Sequence, residues 1–384
     1  MHCFISNHRL YMTMQRRLFL NRALGAGVTF CSCGLLDAAH AQLSHKHPRL
    51  GTTRAPLMHQ GQLVRTIDTH VHCYFQDAID LMGEQAKGVL PPVKGVPEHF
   101  IPVSQPAAVA ERITTMEARG VDMEVLSINP FWYRQSRDVS AAIVRLNNER
   151  LGELCAAHPT RFAAFAGLSL HHPDLAVQEL EYAVKKLGLR GAAIGGSVMG
   201  EDFHESRFHP VWAKAEELGA VLFIHPQSTP ELAKRFKGNG WLSNVIGNPL
   251  DTTIALQHLI FEGTLDKFPG LKVLAAHGGG YLGSYAPRSD HGCFVSPTNC
   301  NPAIQLKKKP TDYLNQIYFD SLVFTPEALR HLVAQVGASQ VVVGTDHPIP
   351  WNEDPVGHVM QTTALSMDDR IAILGKNAER LLKL

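Results

Sequence analysis

Eight short apolar runs, separated by segments of helical period, leave this chain very few architectures. The runs are residues 66–72, 121–128, 162–170, 191–195, 220–225, 272–277, 316–321 and 341–346. They are rich in valine, isoleucine, leucine and alanine, as strands buried on both faces are. Between them, 106–119, 139–157, 174–187 and 326–336 repeat apolar residues at the helical period. Strands alternating with helices build a parallel sheet, and eight such units close on themselves. The expected fold is α/β, a (β/α)8 TIM barrel over 66–384 with an insertion after the first strand. That insertion, 74–105, reads as a lid, and the irregular stretch 283–312 as a cover for the opposite rim or a subunit contact.

Five chemically capable residues close these runs. His70 and His72 end TIDTHVH, His225 ends VLFIH, His277 ends VLAAH ahead of three glycines, and Asp346 ends VVVGTD. Strand ends converge on one face of a barrel, where active sites sit. Residues two apart on a strand share a face, which suits His70 and His72 holding one ion. Three imidazoles and a carboxylate suit a divalent metal, leaving the fifth group for proton transfer. Each has a plainer reading: packed histidines, a turn or N-cap aspartate at Asp346, or a further imidazole ligand at His277. Asp68 shares the face of His70 and reads as the acceptor for a ligand N–H. Cys73 and His347 point to the other face; Cys73 reads as packing, and His347 ranks below Asp346 as a ligand.

Composition narrows the partners. A net charge of +1 gives no electrostatic reason to expect nucleic acid or an anionic membrane. LKKKP at 306–310 is a short charged loop. Residues 14–21, MQRRLFLN, form a twin-arginine pattern on Arg16, Arg17, Phe19 and Leu20. An apolar stretch and Ala39-His40-Ala41 follow, so residues 1–41 read as an export signal cleaved ahead of Gln42, and 42–65 as an N-terminal extension. Met12 and Met14 are alternative starts. After cleavage no integral membrane span is expected, and the expected location is the periplasm. Cys73, Cys155, Cys293 and Cys300 remain, too few for a disulfide scaffold; Cys293 and Cys300 can pair in an oxidising compartment.

The combination IDTHVH, RLNNERL, LFIHPQ, NPLDTTIA, DKFPGLKVLAAHGGG, RSDHG and VVVGTDHPIPWNE resembles the metal-dependent amidohydrolase superfamily. Within it, the chain is similar to the aminocarboxymuconate semialdehyde decarboxylase branch. The resemblance spans about Thr66 to Leu381. It implies one divalent metal, usually zinc, held by His70, His72, His225 and Asp346. It also implies that His277 activates the metal-bound water as acid/base residue, with Asp346 also accepting a proton. By resemblance Arg288 reaches a neighbouring subunit's site in a homodimer and holds a substrate carboxylate; the plainer reading is a surface salt bridge. Trp241 matches a tryptophan of the family's substrate pocket, or packs a lid. The family's second substrate arginine has no counterpart between Cys73 and Glu111, where Lys87 and Lys94 are the cations. Phe131, Trp132, Tyr133 and Arg134 form either an aromatic wall with a cation or ordinary loop packing.

Three functions follow in order. The first is a non-oxidative, metal-dependent decarboxylase of a small unsaturated or aromatic carboxylic acid. The second is a hydrolase of an ester, lactone or amide on the same site. The third is a non-catalytic exported binding protein, for which retention of all five groups has no reason.

Overall fold

The computed structural model describes residues 53–86 and 105–384. The export signal, most of the extension, most of the expected lid, and Lys87 and Lys94 lie outside the described residues. All eight expected strands form: β1 (Ile67–His72), β2 (Met123–Ser127), β3 (Phe162–Ala164), β4 (Gly191–Ile194), β5 (Val221–Ile224), β6 (Lys272–Ala275), β7 (Ile317–Asp320) and β8 (Val341–Val342). Every neighbouring pair is parallel. The crossovers carry α1 (Pro106–Arg119), α2 (Arg137–Ala157), α3 (Pro173–Leu187), α4 (His209–Leu218), α5 (Asn248–Phe261), α6 (Leu282–Val295) and α7 (Pro326–Val336). Proline at the first position of α1, α3 and α7 is preset for a helix start, where its missing N–H costs nothing.

The ring is made of two arcs, β1–β3 and β4–β8. Isolated parallel bridges close it, Asp68 and Val71 to Val343 and His347 on one side and Ala166 to Ala192 on the other. At the first seam Thr69 N donates to Val343 O at 2.9 Å and Asp346 N to His70 O at 2.8 Å. Gly191 lets β4 lie this close to β5, since a Cβ there would sit 1.9 Å from Val221 O. Inside the barrel, Ile67, Val125, Phe165, Phe223, Leu274 and Val342 pack into one buried cluster. A larger cluster fills the space between strands and helices.

Besides the eighth run, which keeps only Val341–Val342 as strand, two expected boundaries shift. The third run, 162–170, stops as a strand at Ala164. The Asn148 side chain of α2 replaces the ladder, with Nδ2 donating to Gly167 O at 3.0 Å and Gly167 N donating to Oδ1 at 2.8 Å. That explains an asparagine inside the helical RLNNERL segment. The second shift corrects the irregular 283–312: its first half is α6, which has Pro287 inside it. Pro287, Gly283 and Gly292 break the sequence pattern, but the apolar side chains of Leu282 and Ala286 bury one face against the barrel and carry the helix through. A disulfide joins Cys293, in the last turn of α6, to Cys300 beyond the helix end. A hairpin of Met58–His59 and Gln62–Leu63 precedes β1, and an Arg54–Asp354 ion pair ties the chain ahead of it to the loop after β8.

Candidate active site

His70 and His72 leave β1 on the same side, as their two-residue spacing requires. His225 follows β5 directly, and Asp346 stands four residues beyond β8 with φ at 64°. These four bring one ligand atom each within 4.8 Å of one another, all buried. Asp346 Oδ1 lies 2.8 Å from His72 Nε2, 3.2 Å from His70 Nε2 and 3.7 Å from His225 Nε2. The Nε2 atoms of His72 and His225 are 3.2 Å apart. An ion with bonds of about 2.0–2.2 Å sets donor separations of roughly 3.3–3.6 Å, so the set fits a tetrahedral divalent metal. His70 Nε2 also has no hydrogen-bond partner although it is buried. The centre joins the two arcs, with His70 and His72 from one and His225 and Asp346 from the other.

Asp320, at the end of β7, organises the centre from behind. Its Oδ2 accepts from His70 Nδ1 at 2.6 Å and from His277 N at 2.8 Å, and its Oδ1 from Gly278 N at 2.8 Å. A bonded Nδ1 fixes the His70 tautomer and turns Nε2 toward the ion. The expected role of Asp68 therefore belongs to Asp320. Asp68 instead accepts the His70 backbone N–H at 3.2 Å and the Thr345 hydroxyl at 2.6 Å, pinning the first seam. Burial lowers the His70 pKa, but the Asp346 and Asp320 carboxylates outweigh it and raise it to about 10. The same field favours a metal cation. Burial first, then neighbouring imidazoles, push His225 far down, and burial also lowers His72, so both present neutral nitrogens as metal binding requires. Against burial, the surrounding histidines hold Asp346 well below the usual carboxylate range.

His277 stands outside the four-residue cluster. Its Nε2 is 3.7 Å from Asp346 Oδ2, and its side chain is 14% exposed where those of His70 and Asp346 are 0% and 7%. Its backbone adopts φ of 56°, unusual without glycine and held by Asp320. The following glycines serve protein packing and not ligand approach, because a Cβ at Gly280 would lie 2.0 Å from Pro249 O of α5.

A cavity of about 590 Å³ opens on His72, His225 and Asp346. Phe131, Tyr133 and Trp241 line it with aromatic surface, and Arg134 is its one lysine or arginine among the described residues. Asp251 of α5 also lines it, accepting from Gln227 N at 3.0 Å.

The amidohydrolase family model, Amidohydro_2, matches residues 67–384. The chain belongs to this family. Within the amidohydrolases it sits in the branch of the aminocarboxymuconate semialdehyde decarboxylases. It is 32% identical over 276 residues to the 2-amino-3-carboxymuconate-6-semialdehyde decarboxylase of Dictyostelium discoideum, covering 71% of this chain and 76% of that one. A crystal structure of 5-carboxyvanillate decarboxylase from Sphingomonas paucimobilis superposes with a TM-score of 0.72 at 25% identity, covering 84% of this chain and 99% of the other. The dihydroxybenzoic acid decarboxylase of Polaromonas sp. JS666, solved with manganese and 2-nitroresorcinol, gives a TM-score of 0.66 at 25% identity over 83% and 97% of the two chains.

Within this amidohydrolase frame the remaining expected residues divide. Trp241 lines the cavity, 42% exposed, with its ring stacked on Trp351 at 5.9 Å between centroids. Trp132 leaves the proposed aromatic wall: it is buried in the core and donates to Leu168 O at 3.0 Å. Arg288 is exposed on α6 and does not line the cavity. Cys73 is buried and free, a packing residue. Asp320 and Asp251 went unread in the sequence. Asp320 carried the same signal as the ligands, an acid closing an apolar run. Asp251 lay inside the NPLDTTIA segment but ended no apolar run, since it enters from the first turn of a helix.

Proposed function

We propose that this protein is a metal-dependent, non-oxidative decarboxylase of a small aromatic or unsaturated carboxylic acid. One observation carries the reading: a His3Asp centre opens directly on an aromatic-walled cavity that also presents a cation. Flat aromatic walls suit a flat ring, and about 590 Å³ suits a substrate the size of a substituted benzoate. A divalent ion held there supplies Lewis acidity, polarising a bound oxygen and making a proton easier to remove. The chain's own groups position and move the proton. Loss of carbon dioxide leaves an electron pair on the ring or vinyl carbon, which must take up a proton. His277 Nε2 lies 3.7 Å from Asp346 Oδ2, which places beside the centre an imidazole able to carry that proton. Arg134 and the aromatic faces orient the acid.

Three imidazoles and one carboxylate favour zinc as the native ion; the Polaromonas relative was solved with manganese. The twin-arginine pattern supports export to the periplasm, as does the Cys293–Cys300 disulfide, a bond that persists in oxidising compartments. Exposed Tyr285, Phe294 and Val295 on α6 support a homodimer that uses this helix and places Arg288 near the partner. Among the described residues no helix is long and apolar enough to cross a membrane.

The test is metal content of residues 42–384 combined with a screen for carbon dioxide release from hydroxybenzoates and muconate-like acids. Metal bound at the His3Asp centre, lost in His225→Ala, with carbon dioxide from any of these acids supports the proposal. The same metal-loaded protein with ester, lactone or amide cleavage and no carbon dioxide from any acid replaces it with hydrolysis.

A further inference from the structure

Asp202, His204 and His258 form a second cluster whose ligand atoms lie within 4.8 Å of one another. None of them belongs to the catalytic centre. Asp202 and His204 lie in the loop after β4, and His258 lies in the last turn of α5. His258 Nε2 is 3.3 Å from Asp202 Oδ2, the separation that two ligands of one ion with bonds of about 2 Å adopt. The His204 ring lies flat against that of His258, with centroids 4.9 Å and planes 15° apart. His204 Nδ1 is buried and has no hydrogen-bond partner. An Asp202–His258 ion pair accounts for two of these residues and leaves that nitrogen without a function. The side chains retain 25–35% of their exposure, so water can complete a coordination shell.

We propose that Asp202, His204 and His258 bind a second divalent ion of the zinc class. Two imidazoles, one carboxylate and a water form a four-coordinate set of the kind zinc takes. Ligation turns the two stacked rings so that one nitrogen of each faces the ion, a side-chain rotation that their partial exposure permits. The ion joins two parts of the cavity wall. The loop carrying Asp202 and His204 also supplies Ser197, Met199 and Gly200 to the lining, and α5 supplies Asn248 and Asp251. His258 follows Asp251 by seven residues, about 10 Å along the helix. The second ion thus clamps the substrate cavity from outside without touching the substrate.

The test counts metal in the full chain with its catalytic ion in place, by equilibrium dialysis against zinc. Two equivalents per chain are expected for the wild type and one for His258→Ala. Asp202→Asn, which keeps the side-chain volume and hydrogen bonding, is also expected to bind one. His225→Ala should lose the other equivalent and keep the clamp. Zinc above one equivalent should raise the melting temperature of the wild type and leave that of Asp202→Asn unchanged. A wild type that binds a single equivalent overturns the site, as does a second equivalent that survives in both His258→Ala and Asp202→Asn.

Discussion

Asp320 accepts the Nδ1 proton of His70 at 2.6 Å with both side chains fully buried, and the same carboxylate holds the backbone of His277. One acid therefore aligns a histidine of the His3Asp centre and the backbone of His277 together.

Asp320→Asn keeps the shape and removes the charge. Metal affinity should fall about 10–100-fold, the usual cost of losing a carboxylate behind a ligating histidine. Competition with a chelator measures it. Unchanged affinity would mean that His70 is aligned by its packing alone.

His277→Ala should keep the metal of the His3Asp centre and lose activity by about 10²–10⁴-fold, the range of a general acid–base group. Asp346→Ala should lose metal and activity together. Metal analysis beside kcat separates the two variants. A fully active His277→Ala protein would remove the proton-transfer role.

Asp251 gives the site a pH dependence. Burial raises its pKa from 3.8 to about 7, helped by the Glu231 and Asp202 carboxylates and opposed by the Gln227 N–H. The folded chain holds this proton more tightly than the unfolded one. The group's contribution to stability is complete below the unfolded value and is lost as pH rises through about 7. Ionisation there places a negative charge in the wall of the cavity proposed to take a carboxylate. KM should climb as pH passes 7, and Asp251→Asn should flatten that climb. A wild-type KM constant across this range would count against the assignment.

Arg134 has no hydrogen bond or ion pair from its side chain among the described residues and lines the cavity. Arg134→Ala should raise KM about tenfold with little change in kcat, the loss of one charge-assisted contact. The effect should be largest for acids with a second anionic substituent. A drop in kcat at constant KM would instead place Arg134 in the chemical step.

Chelation of the catalytic ion should cost stability as well as activity. A ligand present at a thousand times its dissociation constant contributes about 4 kcal/mol, so the melting temperature should fall on the order of 10 °C. Calorimetry with and without chelator checks it.

The barrel was legible in the sequence because its eight runs carry the composition of doubly buried strands, and the ligands were legible because they end those runs. What escaped did so for physical reasons. Asp320 ends its run too, yet its work is done through hydrogen bonds to His70 and to backbone that only folding brings near. The α6 helix hid behind Pro287, whose cost is met by the contacts of Leu282 and Ala286. Trp132 and Tyr133 are adjacent in sequence, but one enters the core and the other faces the cavity, a division set by the loop after β2.

Asp346 and its three histidine partners straddle the line where the two arcs of the ring meet. Closure of the barrel and occupancy of the metal site are thus coupled. A cell short of the metal is expected to lose more than turnover: the unliganded seam should open to proteases, and the amount of enzyme should track metal supply without a dedicated sensor.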